Sequence, residues 1–136
     1  MRLTIVQTSL VWERPSLNRQ NLADKLADLR GFTDVIVLPE MFNTGFSMNA
    51  AALAEPMDGP SIQWLRATAS DLNAAITGSF ICVDEGQYFN RLVWMFPDGR
   101  FEVYDKKHLF GFSGEDEHFS PGQKRLMIEW RGARIC

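Results

Sequence analysis

Short apolar runs alternate along this sequence with segments of helical periodicity, and this alternation restricts the possible folds more than any other feature. The apolar run at residues 35–38 lies between an aspartate and a proline, which is typical of a short strand buried on both faces of a sheet. Leu22, Leu26 and Leu29 precede it at the spacing of one helix face. The predicted elements are a strand over 3–10, a helix over 17–30, a strand over 35–38, a helix from residue 60, and strands over 75–83, 88–96, 100–104, 126–130 and 133–136. This order predicts an α/β protein with a layered, largely buried sheet.

Local signals mark the ends of the two predicted helices. Ser16 is of a residue type that caps helices, and Gly31 is suited to ending one, so these two residues bound the first helix. Pro60 is a favourable first residue for the second helix. Residues 41–57 and about 110–123 are predicted to be loops, the first of which ends in an alanine-rich helical turn.

The charge balance and the cysteine content limit the partners and the environment. The net charge is −3, and phosphate binding needs a basic face, so we expect no nucleic-acid partner. No apolar run approaches the ~18 residues of a membrane span, and the first residues do not resemble a signal peptide, so we expect no membrane partner. The two cysteines are too few for a disulfide scaffold, which favours a reduced, cytoplasmic setting.

Glu40 is the first candidate for chemistry. It follows the predicted strand at 35–38 closely, and ligand sites of α/β proteins lie beyond the carboxyl ends of strands. Met41, Phe42 and Phe46 could form an apolar wall that partly desolvates the carboxylate and makes it a better base. We also expect Phe42 and Phe46 to contact the substrate. A solvated loop glutamate is the alternative interpretation.

Lys106 and the acidic loop after it are the other candidates. A lysine held beside carboxylates stays protonated and can stabilise an oxyanion, whereas a solvated basic patch is the alternative. Glu115 begins the acidic stretch, which a solvated loop would also explain. A metal site built from His108, Glu115 and His118 is a further alternative, but the spacing fits no standard zinc pattern.

The two cysteines have different sequence surroundings. Cys82 lies in the apolar run at 80–83 and is predicted to be a core residue. Cys136 is a candidate nucleophile by residue type alone. A chain terminus is a poor place to organise a nucleophile, because no backbone N–H follows it as an oxyanion donor.

Two motifs together resemble the nitrilase superfamily of carbon–nitrogen hydrolases. They are LPEMF at residues 38–42 and YDKKHLF at residues 104–110. The segments IVQT at 5–8 and NTGFSM at 43–48 are similar to the omega-amidase-like branch of that superfamily. The match runs along the whole chain in the right order.

The resemblance implies a fold, a chemistry and a set of site residues. The fold would be an α-β-β-α sandwich, of which residues 1–136 form the N-terminal half of a single domain, and the protein would assemble as a homodimer or larger homo-oligomer. Glu40 would be the general base, Lys106 the oxyanion-stabilising lysine and Glu115 the supporting second glutamate. A cysteine thiolate attacks the amide carbon, ammonia leaves, and water activated by the glutamate releases the acyl group. Neither a metal nor an organic cofactor is implied.

The resemblance also places the nucleophile outside the sequence. In the omega-amidase-like branch a proline and two apolar residues precede the reactive cysteine, so Cys136 aligns with an earlier strand residue and the nucleophile falls four positions later. We therefore expect the intact enzyme to hydrolyse the terminal amide of a small carboxylic acid, including a 2-oxo acid, and residues 1–136 alone to be inactive. A non-catalytic fragment that acts only through assembly is the alternative.

The positions of these residues, at the ends of predicted strands and in a glycine-containing loop, lead to two geometric expectations. Glu40 and Lys106 should come from the ends of neighbouring strands and lie within roughly 4 Å of each other. Glu115 should hydrogen-bond Lys106 or close the side of the same cleft, while Asp116 and Glu117 should be solvated.

Overall fold

The computed structural model describes all 136 residues. Its helices are α1 (Pro15–Leu26), α2 (Ala50–Leu53), α3 (Pro60–Leu72) and α4 (Glu115–His118), with a 3₁₀ turn at Gly111–Ser113. Its strands are β1 (Leu3–Ile5), β2 (Val35–Val37), β3 (Ala75–Asp84), β4 (Gln87–Met95), β5 (Phe101–Asp105), β6 (Ile128–Trp130) and β7 (Ala133–Ile135). None of the helices combines the length and the apolar character needed to cross a membrane.

Strands β1 to β5 form one mixed sheet, in the order in which they occur in the sequence. The first three are parallel because helical segments cross over between them, whereas β3, β4 and β5 are joined by tight turns and run antiparallel. Two reversals of direction leave β5 parallel to β2. The carboxyl ends of β2 and β5 therefore lie at the same edge of the sheet, together with the beginning of β4.

Helices cover one face of this sheet. Leu22 and Leu26 of α1 and Ile62 and Leu65 of α3 pack against apolar side chains of the central strands in the largest core cluster. Burying a leucine or isoleucine side chain contributes ~1.5–3 kcal/mol, so this layer accounts for much of the stability of the fold. Successive strand residues point to opposite faces, so the remaining side chains of β3 and β4 face away from the helices.

The opposite face is covered in part by the separate hairpin of β6 and β7. Ile128 packs there with Trp94 and Phe96, and Trp130 lies edge-on to Phe96 with 5.5 Å between ring centroids. Trp130 Nε1 also donates a hydrogen bond of 3.3 Å to the Asp34 carbonyl at the beginning of β2. The hairpin is thereby held against the sheet at the edge opposite the ends of β2 and β5.

The element order is as predicted, but several boundaries differ. Helix α1 begins at Pro15, with Arg14 as the capping residue and no side-chain cap, so the cap expected from Ser16 is wrong. Proline fixes φ near −65°, which suits the first turn of a helix, so α1 begins two residues earlier than predicted. Strand β1 stops at Ile5, because only three of its residues pair with β2. The predicted loop at 110–123 contains the 3₁₀ turn and α4.

Candidate active site

The loop that carries Glu40 is fixed by the neighbouring strand. Past the end of β2, the backbone N–H of Leu38 donates to Thr77 O at 2.8 Å. The N–H of Met41 donates to Ser79 Oγ at 2.9 Å, and the N–H of Phe42 donates to Ser79 O at 2.9 Å. Glu40 lies between these anchors, so its backbone is held to β3 while its side chain is 49% exposed.

Lys106 follows β5 directly, and backbone hydrogen bonds hold it from both sides. Its N–H donates to Asn90 O of β4 at 3.0 Å, which extends the β4–β5 ladder by one residue. Its own carbonyl accepts the N–H of Gly122 at 3.0 Å. The lysine backbone is therefore enclosed between a strand and the segment that follows α4.

Glu115 is the first residue of α4 and is completely buried, with 0% of its side chain exposed. Its Oε2 accepts the backbone N–H of Phe110 at 2.6 Å and lies 2.9 Å from Lys106 Nζ. Its Oε1 accepts a hydrogen bond from Asn90 Nδ2 at 3.0 Å. A buried carboxylate is tolerated only when it is paired and hydrogen-bonded, and both conditions are met here.

Glu40, Lys106, Glu115 and Asn90 form one connected group, which we call the polar cluster. Lys106 Nζ donates to Glu40 Oε1 at 2.8 Å, and Asn90 Nδ2 donates to the same oxygen at 2.8 Å. The short distance between Glu40 and Lys106 agrees with the expectation. The expectation that they come from neighbouring strands is wrong, because β3 and β4 lie between β2 and β5. They meet because both strands end at the same edge of the sheet.

The charge states of the polar cluster follow from its hydrogen bonds. Burial favours the neutral form of Lys106, but the hydrogen bonds to Glu40 and Glu115 outweigh it, and the pKa of the lysine lies above its ordinary value. Burial likewise favours protonated Glu115, but hydrogen bonds from Asn90, from the Phe110 N–H and from Lys106 lower its pKa below the ordinary value. Lys106 is therefore a cation and Glu115 an anion at neutral pH.

A cleft of about 250 Å³ adjoins the polar cluster on the sheet face that points away from the helices. Glu40, Lys106 and Asn90 line it together with Thr77 and Tyr104. Thr77 Oγ1 is buried and has no hydrogen-bond partner. The cleft thus combines a cation, a carboxylate and a free hydroxyl, which suits a small polar ligand.

The two phenylalanines expected at the substrate lie in different surroundings. Phe46 is partly buried, and its ring centroid is 5.2 Å from Lys106 Nζ, so it forms an apolar wall at the cluster. Phe42 is fully buried in the main core, where its ring is 5.6 Å from that of Trp64. The structure therefore corrects the expectation for Phe42, because a ring inside the core has no surface open to a substrate.

The residues proposed as metal ligands do not come together. His108 and His118 are exposed, and no group of three or more His, Cys, Asp or Glu side chains could hold a metal ion. The groups that contact Glu115 are hydrogen-bond donors, namely Asn90 Nδ2, the Phe110 N–H and Lys106 Nζ. These donors stabilise the negative charge of Glu115, whereas a metal ion would need further oxygen ligands there. Asp116 and Glu117 are exposed, as expected.

The cysteines lie away from the polar cluster's hydrogen bonds. Cys82 is fully buried in the main core, as predicted, and burial raises the pKa of its thiol to about 11. Cys136 is exposed and follows the last residue of β7 directly.

Asn90 is not among the residues that the sequence predicts at the site. A signal for it exists in the sequence, because the residues of β4 that share its face include Leu92 and Trp94. A polar residue at a face that is otherwise apolar must find buried partners. The sequence alone does not show that these partners are two carboxylates from distant segments.

The mixed sheet covered by helices on one face places the chain among α/β proteins, and its fold matches solved structures of the nitrilase type. Saccharomyces cerevisiae Nit3, a member of branch 10 of the nitrilase superfamily, shares this fold with a TM-score of 0.83 at 23% identity, over 98% of this chain and 53% of that one. The carbon–nitrogen hydrolase family model matches residues 2–135. The chain therefore belongs to the carbon–nitrogen hydrolase family.

Within the family, the chain is similar to omega-amidases. It is 39% identical over 135 residues to omega-amidase YafV of Escherichia coli K12 and 42% identical over 135 residues to that of Yersinia enterocolitica, covering 99% of this chain and 52% of either protein. XC1258 from Xanthomonas campestris, a CN-hydrolase superfamily protein, superposes with a TM-score of 0.95 at 45% identity, over 98% of this chain and 50% of that one. The chain spans about half the length of the curated relatives it matches.

Proposed function

We propose that this chain is the N-terminal part of a single amidase domain that hydrolyses the terminal amide of a small carboxylic acid. The observation that carries the proposal is the position of Lys106, which lies 2.8 Å from Glu40 and 2.9 Å from Glu115 at the edge of a cleft. An ammonium held between two carboxylates is a fixed positive charge, and such a charge stabilises an oxyanion that forms beside it.

The donors of Lys106 support its role at the oxyanion. An ammonium has three N–H donors, and two of them are used by Glu40 and Glu115. The third donor, on a side chain that is 26% exposed, is left for the carbonyl oxygen of an amide. Preorganised donors of this kind contribute without reorganisation during the reaction.

Glu40 is proposed as the general base. It takes the proton of a cysteine thiol as the sulfur attacks the amide carbon, and it gives that proton to the leaving nitrogen, which departs as ammonia. Water then attacks the thioester, with Glu40 accepting its proton, and the acid and the thiol are restored. Glu115 supports this sequence by holding Lys106 protonated. The nucleophile is proposed to lie four positions beyond Cys136, so residues 1–136 alone are expected to be inactive.

The substrate class is proposed from the omega-amidases among the relatives. An amide whose acyl group ends in a carboxylate, including a 2-oxo acid, carries the polar groups that the cleft can bind. Phe46 would line the aliphatic part of such a substrate. We further propose a homo-oligomeric enzyme of the cytoplasm that uses no metal or organic cofactor.

The test is ammonia release by the full-length protein from the ω-amides of short dicarboxylic and 2-oxo dicarboxylic acids. Replacement Glu40→Gln keeps the size of the side chain and removes the base, so kcat should fall by ~10²–10⁴-fold while the protein stays folded. The matched control is Glu117→Gln, an exposed position that should leave kcat unchanged. A folded wild-type protein that releases no ammonia would instead support a non-catalytic role in assembly.

A further inference from the structure

The two carboxylates of the polar cluster differ in how many of their oxygens are engaged. Both oxygens of Glu115 accept hydrogen bonds, and its side chain is 0% exposed. In Glu40, by contrast, Oε1 accepts from both Lys106 and Asn90, while Oε2 accepts from no group of the protein. Since the Glu40 side chain is 49% exposed, its Oε2 is the oxygen that a reacting group can approach.

Asn90 is the residue that connects the two carboxylates. Its amide Nδ2 has two hydrogens, and they are directed to Glu40 Oε1 at 2.8 Å and to Glu115 Oε1 at 3.0 Å. The residue is 2% exposed and lies inside β4, where its carbonyl accepts the backbone N–H of Lys106. Asn90 therefore contacts all three other members of the cluster from a rigid strand.

We propose that Asn90 is a positioning residue for the base: with Lys106 it occupies Oε1 of Glu40 and so leaves Oε2 as the one carboxylate oxygen of the polar cluster that is free to take a proton. This inference rests on the proposed function and adds to it the identity of the reacting oxygen and the residue that selects it.

Lysine alone does not make this selection. The lysine ammonium is a compact charge on a flexible four-carbon chain, so it can donate a hydrogen bond to either oxygen of a carboxylate. A second donor that reaches the same oxygen from the strand fixes the rotation of the carboxylate about its last bond. The fixed donor is an amide because an aspartate at this position would place a third anion beside Glu40 and Glu115.

The selection has a consequence for the reaction. The proton of the nucleophile must pass to Oε2 of Glu40, and Oε2 must be within hydrogen-bond reach of it. A displacement of about 1 Å at a reacting group costs ~10²-fold in rate. Although Asn90 borders the cleft, both of its amide hydrogens are engaged within the cluster and only 2% of the residue is exposed, so we expect loss of the amide to act mainly on the chemical step.

Two replacements of Asn90 in the full-length protein test the proposal. Asn90→Leu is similar in volume and removes both donors, while Asn90→Ser leaves one hydroxyl donor. Asn21→Ser in α1 is the matched control, because Asn21 makes none of the cluster's contacts. Each variant is assayed for kcat, for KM and for thermal unfolding, and the Asn90→Leu variant is crystallised.

The expected result is a kcat lower by ~10²-fold in Asn90→Leu with a nearly unchanged KM, a smaller loss in Asn90→Ser, and wild-type kinetics in Asn21→Ser. The crystal structure should show the Glu40 carboxylate rotated out of its wild-type plane. A wild-type kcat in Asn90→Leu, or a crystal structure in which Glu40 keeps its orientation, overturns the proposal. The orientation of Glu40 in the crystal structure tests the positioning role of Asn90 even if the wild-type protein hydrolyses no amide. Absence of amide hydrolysis by the wild-type protein would count against the proposed function alone.

Discussion

Replacement of Gly122 by alanine should displace Lys106 through a direct backbone collision. Gly122 is buried, and its N–H donates to the Lys106 carbonyl at 3.0 Å. A Cβ at this position would lie 2.0 Å from the Asp105 carbonyl oxygen and 2.7 Å from its carbon. The atoms in the way belong to the backbone of β5 and not to a flexible side chain, so they can move only with the strand end that carries the lysine.

The size of the displacement follows from these distances. A carbon and a carbonyl oxygen approach no closer than about 3.3 Å, so the Cβ and the strand end must separate by more than 1 Å. A shift of that size would stretch the 2.8 and 2.9 Å contacts of Lys106 beyond hydrogen-bond range. We expect a loss of stability of ~1–3 kcal/mol from the overpacking and a fall in kcat of ~10²-fold from the displaced ammonium.

The assay combines urea unfolding with ammonia release by the full-length protein. Gly86→Ala is the control, because Gly86 has a φ of 76° and a Cβ added there would meet no atom within 4 Å. The free energy of unfolding of that variant should fall by ~1–2 kcal/mol, because alanine is strained at a left-handed φ, and its kcat should be unchanged. A wild-type kcat in Gly122→Ala would refute the reasoning, since the contact at 2.0 Å would then be relieved without moving Lys106.

Three further predictions concern the polar cluster and the thiols. Lys106→Met should lower the free energy of unfolding in urea by ~1–3 kcal/mol, because it leaves buried Glu115 without its cation. Glu40→Gln removes one charge of a half-exposed pair and should lower it by less than ~1 kcal/mol. Equal losses would contradict the difference in burial between the two carboxylates. Because the pKa of Glu115 is lowered, its ionised form stabilises the folded state above the ordinary pKa of 4.5, and this stability is lost as pH falls through the pKa of the folded state. Glu115→Gln should therefore flatten the acid side of a plot of unfolding free energy against pH. An unchanged plot would show that Glu115 is not the titrating group. In the 136-residue chain, a thiol-reactive disulfide should modify exposed Cys136 rapidly and Cys82, with a pKa of about 11, only after unfolding; rapid modification of both would show that the core is open.

The sequence carries more information about the strands than about their ends. The run at 35–38 and the helical spacing of the leucines before it follow from local periodicity, and both elements are present. The end of β1 depends on how many residues find partners in β2, and the beginning of α1 depends on Pro15 rather than on Ser16. Pairing across the sheet involves distant segments, which a local pattern does not record.

In the polar cluster, too, the sequence indicates the residues, whereas their contact depends on the pairing of distant segments. Glu40 and Lys106 stand out in the sequence, because each follows a predicted strand and belongs to a motif that resembles a known family. That they meet at 2.8 Å depends on the two reversals of direction that leave β2 and β5 parallel across two intervening strands. The spacing between Glu40 and Lys106 in the sequence does not show how often the chain reverses direction between their strands, so it does not show that the two strand ends lie at the same edge.

Which of two residues of the same type is buried was decided by the tertiary structure. Glu115 and Glu117 are identical residues two positions apart in α4, yet the first is fully buried against Asn90 and the second is exposed. Phe42 and Phe46 are likewise a pair of the same type, of which one lies in the core and the other beside the lysine. The amino-acid sequence by itself determined the types of element, the family and the two charged residues at the strand ends. The tertiary structure determined which oxygen, ring or amide faces the cleft, because that depends on the side chains that surround each group and not on its neighbours along the chain.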